Sequence, residues 1–487
     1  MSPLTSYQRS WIQKNSVWVL AMVFVVLLVL KFLWPLVVYR VPLGYDLGFY
    51  RYLFIRHADG FPPFVVAPMD EWAKAHPLGL FFFTTILLKL GIPVSWLLGW
   101  MWNVMPVLLA AVFAWVIGKR DGRMIGVLVL LAAILSVSYF DGFAAMYWKT
   151  YASLLWCVIT YHLLERKSWW AALTGIIAVA THHQTGLLFG LAFGSWVLAG
   201  FLQQVRQNPR AAFRTALPPV LVGVIVVIIG LLTYLPVWNE AILPHISELL
   251  AGDDAVGGSF PTALFYLQTE GILLALGAVG FALSFKRERY TLWQFSVFWS
   301  FVFVAGHLLF YKRFFLQLDF FLFPFAALAI QTFWMRFSKP LYRYILILAF
   351  VIQSVTMIGV IITRTPTVAA ADLDAVEQFS NTLPKDALVL GLDNQSVTLL
   401  RGWLPYVHVG GPGLFESSWS YDQWKSFILG THADRVSLLT PLTGSVYIFA
   451  SPYFMSYYGS VATTFLQDSC FAPTAYPSLY IVTCTTR

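Results

Sequence analysis

Polar residues with the chemistry of group transfer stand where an apolar chain has least reason to keep them. The stretch VPLGYDLGFYRYLFIRH (41–57) sets Asp46, Arg51, Arg56 and His57 among aromatic residues directly after a long apolar run. An acid flanked by Tyr45, Phe49 and Tyr50 at a membrane edge bears a desolvation cost with no evident structural return, which makes Asp46 a candidate general base. Further along come Asp141 and Lys149, the pair His182–His183, Glu270, His307, and Lys312–Arg313 with Gln317 and Asp319. A carboxylate or imidazole can take the proton of an acceptor hydroxyl, and Arg or Lys can hold the charge growing on a leaving phosphate. The mixture therefore suits a reaction on a phosphate-linked substrate.

Each candidate also has a plain alternative. Basic residues at membrane boundaries ordinarily anchor to lipid headgroups, and Arg51, Arg56 and Lys312 fit that pattern. Lys149 can snorkel from the end of its span. Adjacent histidines point apart, and no HxxxH or HExxH spacing accompanies His182 and His183. Hydrogen bonding to phosphate or sugar, or helix termination, suits that pair better than a metal. Glu270 and His307 lie inside apolar runs, about two turns and one turn from the outer end, as functional groups or as satisfied packing contacts.

The elements that must position these residues are membrane spans. Of 487 residues 59% are hydrophobic and 11% charged, with mean hydropathy +0.71, far from the soluble globular range. The net charge of +8 is split into short clusters between apolar runs, which excludes a nucleic-acid face and reports membrane orientation instead. Spans are expected near 17–39, 94–118, 124–140, 143–164, 169–183, 184–202, 216–238, 262–284, 290–310, 317–335 and 341–362. With the N-terminus inside, this count of eleven puts the basic clusters at 119–123, 165–167, 206–214, 286–289 and 336–343 inside as well. The short segment 77–91 is then an outer interfacial helix, and the polar junction at 181–186 joins two short spans near the outer face. The same topology places Asp70, His245, Glu248, Asp253 and Asp254 in outer loops.

After Arg364 the composition turns towards acids and turn formers. A helical pattern at 371–383 and β-rich runs at 387–393, 445–451 and 478–484 predict a small extracytoplasmic α/β domain, 366–487, following a membrane domain, 1–365. Outside the cytoplasm Cys470 and Cys484 are free to pair, and the sequence leaves that pairing open, while Cys157 reads as a buried apolar residue.

GYDLGFYRYLF, then HPLGLFFFTTILLKLG (76–91), then a span ending in GKRDG, resembles the start of the GT-C glycosyltransferases, multi-span enzymes that use polyprenyl-phosphate sugars. YKRFFLQLDFFLFPFAALAI (311–330) looks like the late GT-C element in which an arginine precedes a proline-containing span. The resemblance implies an all-α polytopic domain, a polyprenyl-phosphate sugar donor, Asp46 as catalytic carboxylate and Arg313 on the donor phosphate. Lys149, Arg56 and His182 are further candidates for that phosphate, and Asp141, His183, Glu270 and His307 for acceptor or cavity. The acceptor would be a lipid, glycan or protein hydroxyl at the outer face of the cytoplasmic membrane. Many family members carry DxD or ExD for a divalent metal; here Leu47 and Gly48 follow Asp46 and a single Asp141 stands later, so no metal ligand is assigned and Mg or Mn stays optional. No WWDYG-type motif occurs near SSWSYDQWK (417–425), which counts against transfer to asparagine.

Three other classes remain. A transporter or flippase of lipid-linked sugars predicts charges at the bilayer midplane rather than at one face. An O-antigen ligase or polymerase usually carries its key residues in a large late loop, and the loop near 310–319 is short. A structural scaffold leaves Asp46 unexplained.

Overall fold

The computed structural model describes residues 6–39, 41–60, 71–74, 76–241, 243, 261–286, 290–308, 311–336, 340–412 and 419–484. Asp70, His245, Glu248, Asp253, Asp254 and positions 287–289 and 337–339 of the inner clusters lie outside the described residues. The chain divides into two compact units, one of residues 1–34, 77–80 and 101–364, the other of 35–76, 81–100 and 365–487. The C-terminal segment thus forms one unit with the segment that follows the first span.

The first unit is helical. The principal helices, in chain order and including those that begin in or belong to the second unit, are α1 (Ser6–Tyr39), α2 (Leu47–Asp59), α3 (Leu78–Lys89), α4 (Val94–Asp121), α5 (Arg123–Leu135), α6 (Val137–Ala144) and α7 (Trp148–Glu165). They continue as α8 (Trp170–Thr181), α9 (His183–Val205), α10 (Pro209–Leu232), α11 (Ala263–Ser284), α12 (Leu292–Ala305), α13 (Tyr311–Arg336) and α14 (Pro340–Thr363). Every expected span overlaps these helices, 124–140 being split between α5 and α6. Among the described residues seven helices are long and apolar enough to cross a membrane by themselves, eight spans if the bent pair α5–α6 is one, so this is an integral membrane protein. α8 and α12 are apolar but shorter, as the sequence anticipates for α8.

α13 is the central helix of this unit: 89% of its apolar window is buried. Phe314 stacks on Phe303 of α12 with ring centroids 4.3 Å apart, and Phe320 stacks on Phe113 of α4 at 4.4 Å. α11 crosses α13 at Gly280, where an added Cβ would lie 1.7 Å from the Phe325 carbonyl oxygen, so backbone meets backbone.

The sequence treats 124–140 as one span; the structure breaks it at Ser136, with a bend of 58° between α5 and α6. A break inside lipid is tolerable only if the freed backbone groups are satisfied, and here charges do it. The Lys31 ammonium, from the middle of α1, donates to the carbonyls of Ala133, Ile134 and Ser136 at 2.8–3.0 Å. Glu270 of α11 accepts the backbone N–H groups of Val137 and Ser138, and Asp319 of α13 accepts the hydroxyls of Ser136 and Ser138. Cation at the C-terminal end of α5 and carboxylate at the N-terminal end of α6 is the arrangement that helix dipoles favour.

In the second unit the sheet runs β2 (His408–Gly410), β1 (Leu388–Gly391), β3 (Val446–Phe449), β5 (Leu479–Val482), β4 (Phe471–Pro473) in spatial order. β1 is parallel to β2 and β3, and β5 is antiparallel to β3 and β4. β1, β3 and β5 fall inside the three β-rich runs; β2 and β4, each three residues long, are too short to show a pattern. Alternation serves two faces: Val389 and Phe449 join one core with Val376 and Leu399, while Leu390 and Ile448 join another with Phe427 and Phe465. The expected helix appears as α15 (Ala370–Phe379), and α16 (Asn394–Trp403) follows β1. Cys470 and Cys484, flanking β4 and β5, form a disulfide with Cα atoms 4.8 Å apart.

Candidate functional site

A second break in the first unit has a different character. α8 ends at Thr181, His182 is extended, and α9 starts at His183, as the polar junction in the sequence leads one to expect. His182 caps α9: its Nδ1 accepts from the Thr185 backbone N–H and pairs with the Thr185 hydroxyl at 2.8 Å. A backbone N–H can only donate, so the neutral ring carries its proton on Nε2, which is thereby a donor. Gln317 of α13 donates to the same Thr185 hydroxyl at 2.9 Å. One turn earlier on α13, the Arg313 guanidinium lies 5.6 Å from the centroid of Tyr147, just ahead of Lys149 in the first turn of α7. Asp141 accepts two bonds from Arg364, at 2.6 and 3.0 Å, through one oxygen. Its other oxygen is buried and takes no hydrogen bond among the described residues.

The shared Thr185 hydroxyl brings α13, one turn after Arg313, to His182 at the start of α9. Between α9 and α10 that end opens into a cavity of about 1090 Å³, just above the usual range for ligand pockets. Its walls are apolar along both helices; the polar groups His183, Gln184 and Tyr234 line it where α9 begins and α10 ends. Gln184 is 3% exposed, and its Oε1 accepts nothing among the described residues. Gly190 and Gly194 leave open space where side chains would stand, so the passage is wide along one face of α9.

Two of the expected site residues have other employment. Glu270 is committed to the backbone of the broken span, and His307 lies in the turn after α12 rather than within the helix, exposed, at φ +51° and stacked on Tyr311. In the second unit Asp46 precedes the first turn of α2 and is half-buried. Arg56 pairs with Asp59 at 3.1 Å and lies over Tyr406, while Arg51 donates to the Gly402 carbonyl and lies over Trp403. His57 is buried against Phe81, the rings 4.4 Å apart and nearly parallel, and burial pushes its pKa down to about 4.

Sequence reasoning missed Lys31 and Arg364, named Gln184 only as part of the polar junction at 181–186, and did not place the cavity between α9 and α10. Lys31 is a lone cation in an apolar run, and the small residues Gly186, Gly190 and Gly194, spaced four apart, mark one helix face. Those two signals were there to be read; the partners of Glu270 and Asp141, far away in sequence, were not.

Among the described residues one cluster could be offered to a metal: His432, Asp468 and Cys470 in the second unit. The Cys470 sulfur is bonded to Cys484, and Asp468 already holds Arg435 at 2.6 Å and His432 at 2.7 Å, so the donor set does not suit a divalent ion.

No protein-family model matches this chain, and no curated protein does. Solved structures do. ArnT from Cupriavidus metallidurans in the apo state aligns over 96% of this chain and 98% of its own, at 14% identity and TM-score 0.55. The same protein bound to undecaprenyl phosphate aligns over 96% and 97%, at 13% identity and TM-score 0.58. The Archaeoglobus fulgidus oligosaccharyltransferase, in complex with Zn and sulfate, aligns over 88% of this chain and 68% of its own, at 12% identity and TM-score 0.55. A bundle of apolar helices and a small C-terminal α/β fold, matched along nearly the whole chain, give this chain the GT-C fold.

Proposed function

We propose that this chain is a membrane glycosyltransferase that moves one sugar from a polyprenyl-phosphate donor to a hydroxyl of a lipid, glycan or protein at the outer face of the cytoplasmic membrane. The observation that carries the proposal is the apolar passage between α9 and α10 with polar groups at one end. A long isoprenoid needs such a passage, and its phosphate needs donors at the mouth. Arg313, Lys149 and the Nε2–H of His182 are the donors of the first unit. The ArnT structure bound to undecaprenyl phosphate supports the same class of donor.

In the reaction the Asp46 carboxylate takes the acceptor proton as the acceptor oxygen bonds to the anomeric carbon. The bond from that carbon to the phosphate oxygen breaks, and the phosphate leaves with the electron pair. A singly charged phosphodiester becomes a phosphomonoester with one more negative charge, which Arg313 and Lys149 stabilise. One displacement inverts the anomeric centre. The charge is met by side chains, so the scheme routes no step through a metal.

The test is sugar transfer by the purified protein with a panel of polyprenyl-phosphate sugars and a membrane lipid extract, comparing wild type with Asp46→Asn and Arg313→Ala. Turnover that collapses in both folded variants supports the reading. Absence of turnover with every donor, together with protein-dependent movement of labelled lipid-linked sugar across liposomes, replaces it with transport.

A further inference from the structure

The C-terminal α/β fold grips α2, and the grip is tightest at the end that carries Asp46. An added Cβ on Gly48 would lie 1.7 Å from the Thr398 carbonyl oxygen, and one on Gly402 would lie 2.6 Å from Gly48 Cα. α2 and α16 therefore cross backbone to backbone, two residues after Asp46. The Tyr45 hydroxyl donates to the Asn394 carbonyl at 2.7 Å, and the Thr398 hydroxyl donates to the Tyr45 carbonyl at 3.4 Å. Residues on both sides of Asp46 are thus held by the first two turns of α16.

The far end of α2 is held as well. Arg401, 6% exposed, donates to the Tyr52 hydroxyl at 2.8 Å and to the Val407 carbonyl at 3.0 Å. Arg51 and Arg56 complete the contact on Gly402, Trp403 and Tyr406. α16 is in turn fixed to the sheet. Asp393, directly after β1, accepts the N–H groups of Gln395 and Ser396 and the hydroxyl of Ser451, which follows β3. Burial, with the nearby charges of Asp46 and Asp393, pushes the Tyr45 hydroxyl up to about 12.

Resting on the assignment of Asp46 as the base, we infer that the outer α/β fold is a positioning device for that carboxylate, acting through the Gly48–Gly402 crossing and the bonds of Tyr45 and Thr398. Asp46 does not depend on its own helix alone for its place. A continuous hydrogen-bonded path leads from the ends of β1 and β3 through Asp393 and α16 to the residue before it. This gives the C-terminal fold a part in the chemical step, separate from any capture of acceptor.

The experiment uses the full-length protein with a polyprenyl-phosphate sugar as donor. Tyr45→Phe deletes the bond to Asn394 and Thr398→Val those to Tyr45 and to Gln395 of its own helix, neither adding bulk, and Gly402→Ala forces the crossing apart. The expected result is a fall in kcat of about tenfold to a hundredfold with donor KM unchanged, since a misplaced reacting group loses rate and not binding. Hydrogen exchange at 47–52 should quicken in the same variants while exchange in the membrane helices stays as it was. If Gly402→Ala does not fold, the two hydrogen-bond variants decide. Wild-type kcat in both, with Asp46→Asn inactive, overturns the positioning role and leaves the base assignment standing; so does a parallel rise in KM. An Asp46→Asn enzyme that still turns over removes the base assignment and this inference with it.

Discussion

The two broken places in the first unit differ in what they leave unsatisfied. At Ser136 the freed backbone groups meet Lys31, Glu270 and the hydroxyls held by Asp319, and what is left over among the described residues is the second oxygen of Asp319 itself. At His182 the break opens on the passage between α9 and α10, and buried acceptors on Gln184 and Gln317 have no partner among the described residues. Both are polar interruptions between apolar helices. Freed backbone groups met by buried side chains mark a structural joint, and unmet acceptors beside a cavity mark a place for a ligand. Polarity alone does not separate them.

The largest expected effect strikes the closed break. Glu270→Ala leaves the N–H groups of Val137 and Ser138 without their acceptor, and each buried donor left unsatisfied costs about 1–3 kcal/mol. Thermal unfolding in detergent should show a large fall. A near-normal melting temperature would mean that the joint at Ser136 does not need the carboxylate.

A second effect of comparable size belongs to His57 in the other unit. Its folded pKa lies below the usual 6.5, near 4, so the unfolded chain binds more protons in between. Stability contributed by the neutral ring is full above pH 6.5 and drains as pH falls towards 4, by on the order of 3 kcal/mol. His57→Phe, which keeps the stack on Phe81, should flatten the stability profile between pH 4 and 6.5. An unchanged profile would place the acid sensitivity elsewhere.

The open break should respond in binding more than in stability. Gln184→Leu removes an acceptor that nothing among the described residues uses, so its melting temperature should stay or rise slightly, whereas Gln317→Leu also deletes the bond donated to Thr185 and should cost about 1 kcal/mol. Donor KM should rise about threefold to tenfold in both, as loss of one hydrogen bond from a donor hydroxyl implies. A drop in melting temperature without a change in KM would make this break structural too.

How much of this was legible in the sequence follows the range of the interactions. Spans, the β-rich runs and the polar junction at 181–186 are written locally, in runs of apolar residues and their interruptions, and each appears in the fold. The polar residues of the membrane domain were legible as a set; the fold puts Gln317 on the Thr185 beside which His182 caps α9, and Arg313 over Tyr147. Individual roles were not legible where the partner is remote. Arg51 and Arg56, read as phosphate or headgroup contacts, face Gly402, Trp403, Asp59 and Tyr406. Glu270, read as a cavity residue, caps a helix whose break no local pattern announces, since Ser136 is an ordinary residue in an apolar run.

The central claim is that the passage beginning at His183 and Gln184 holds the isoprenoid of the donor. Binding of undecaprenyl phosphate to the purified protein, followed by native mass spectrometry, tests it most directly when wild type is compared with Gly190→Leu/Gly194→Leu. The side chains enter open space, so the variant should fold normally while binding falls at least about tenfold. Equal binding by a normally folded variant would show that the lipid lies elsewhere, and the functional reading would lose its main support.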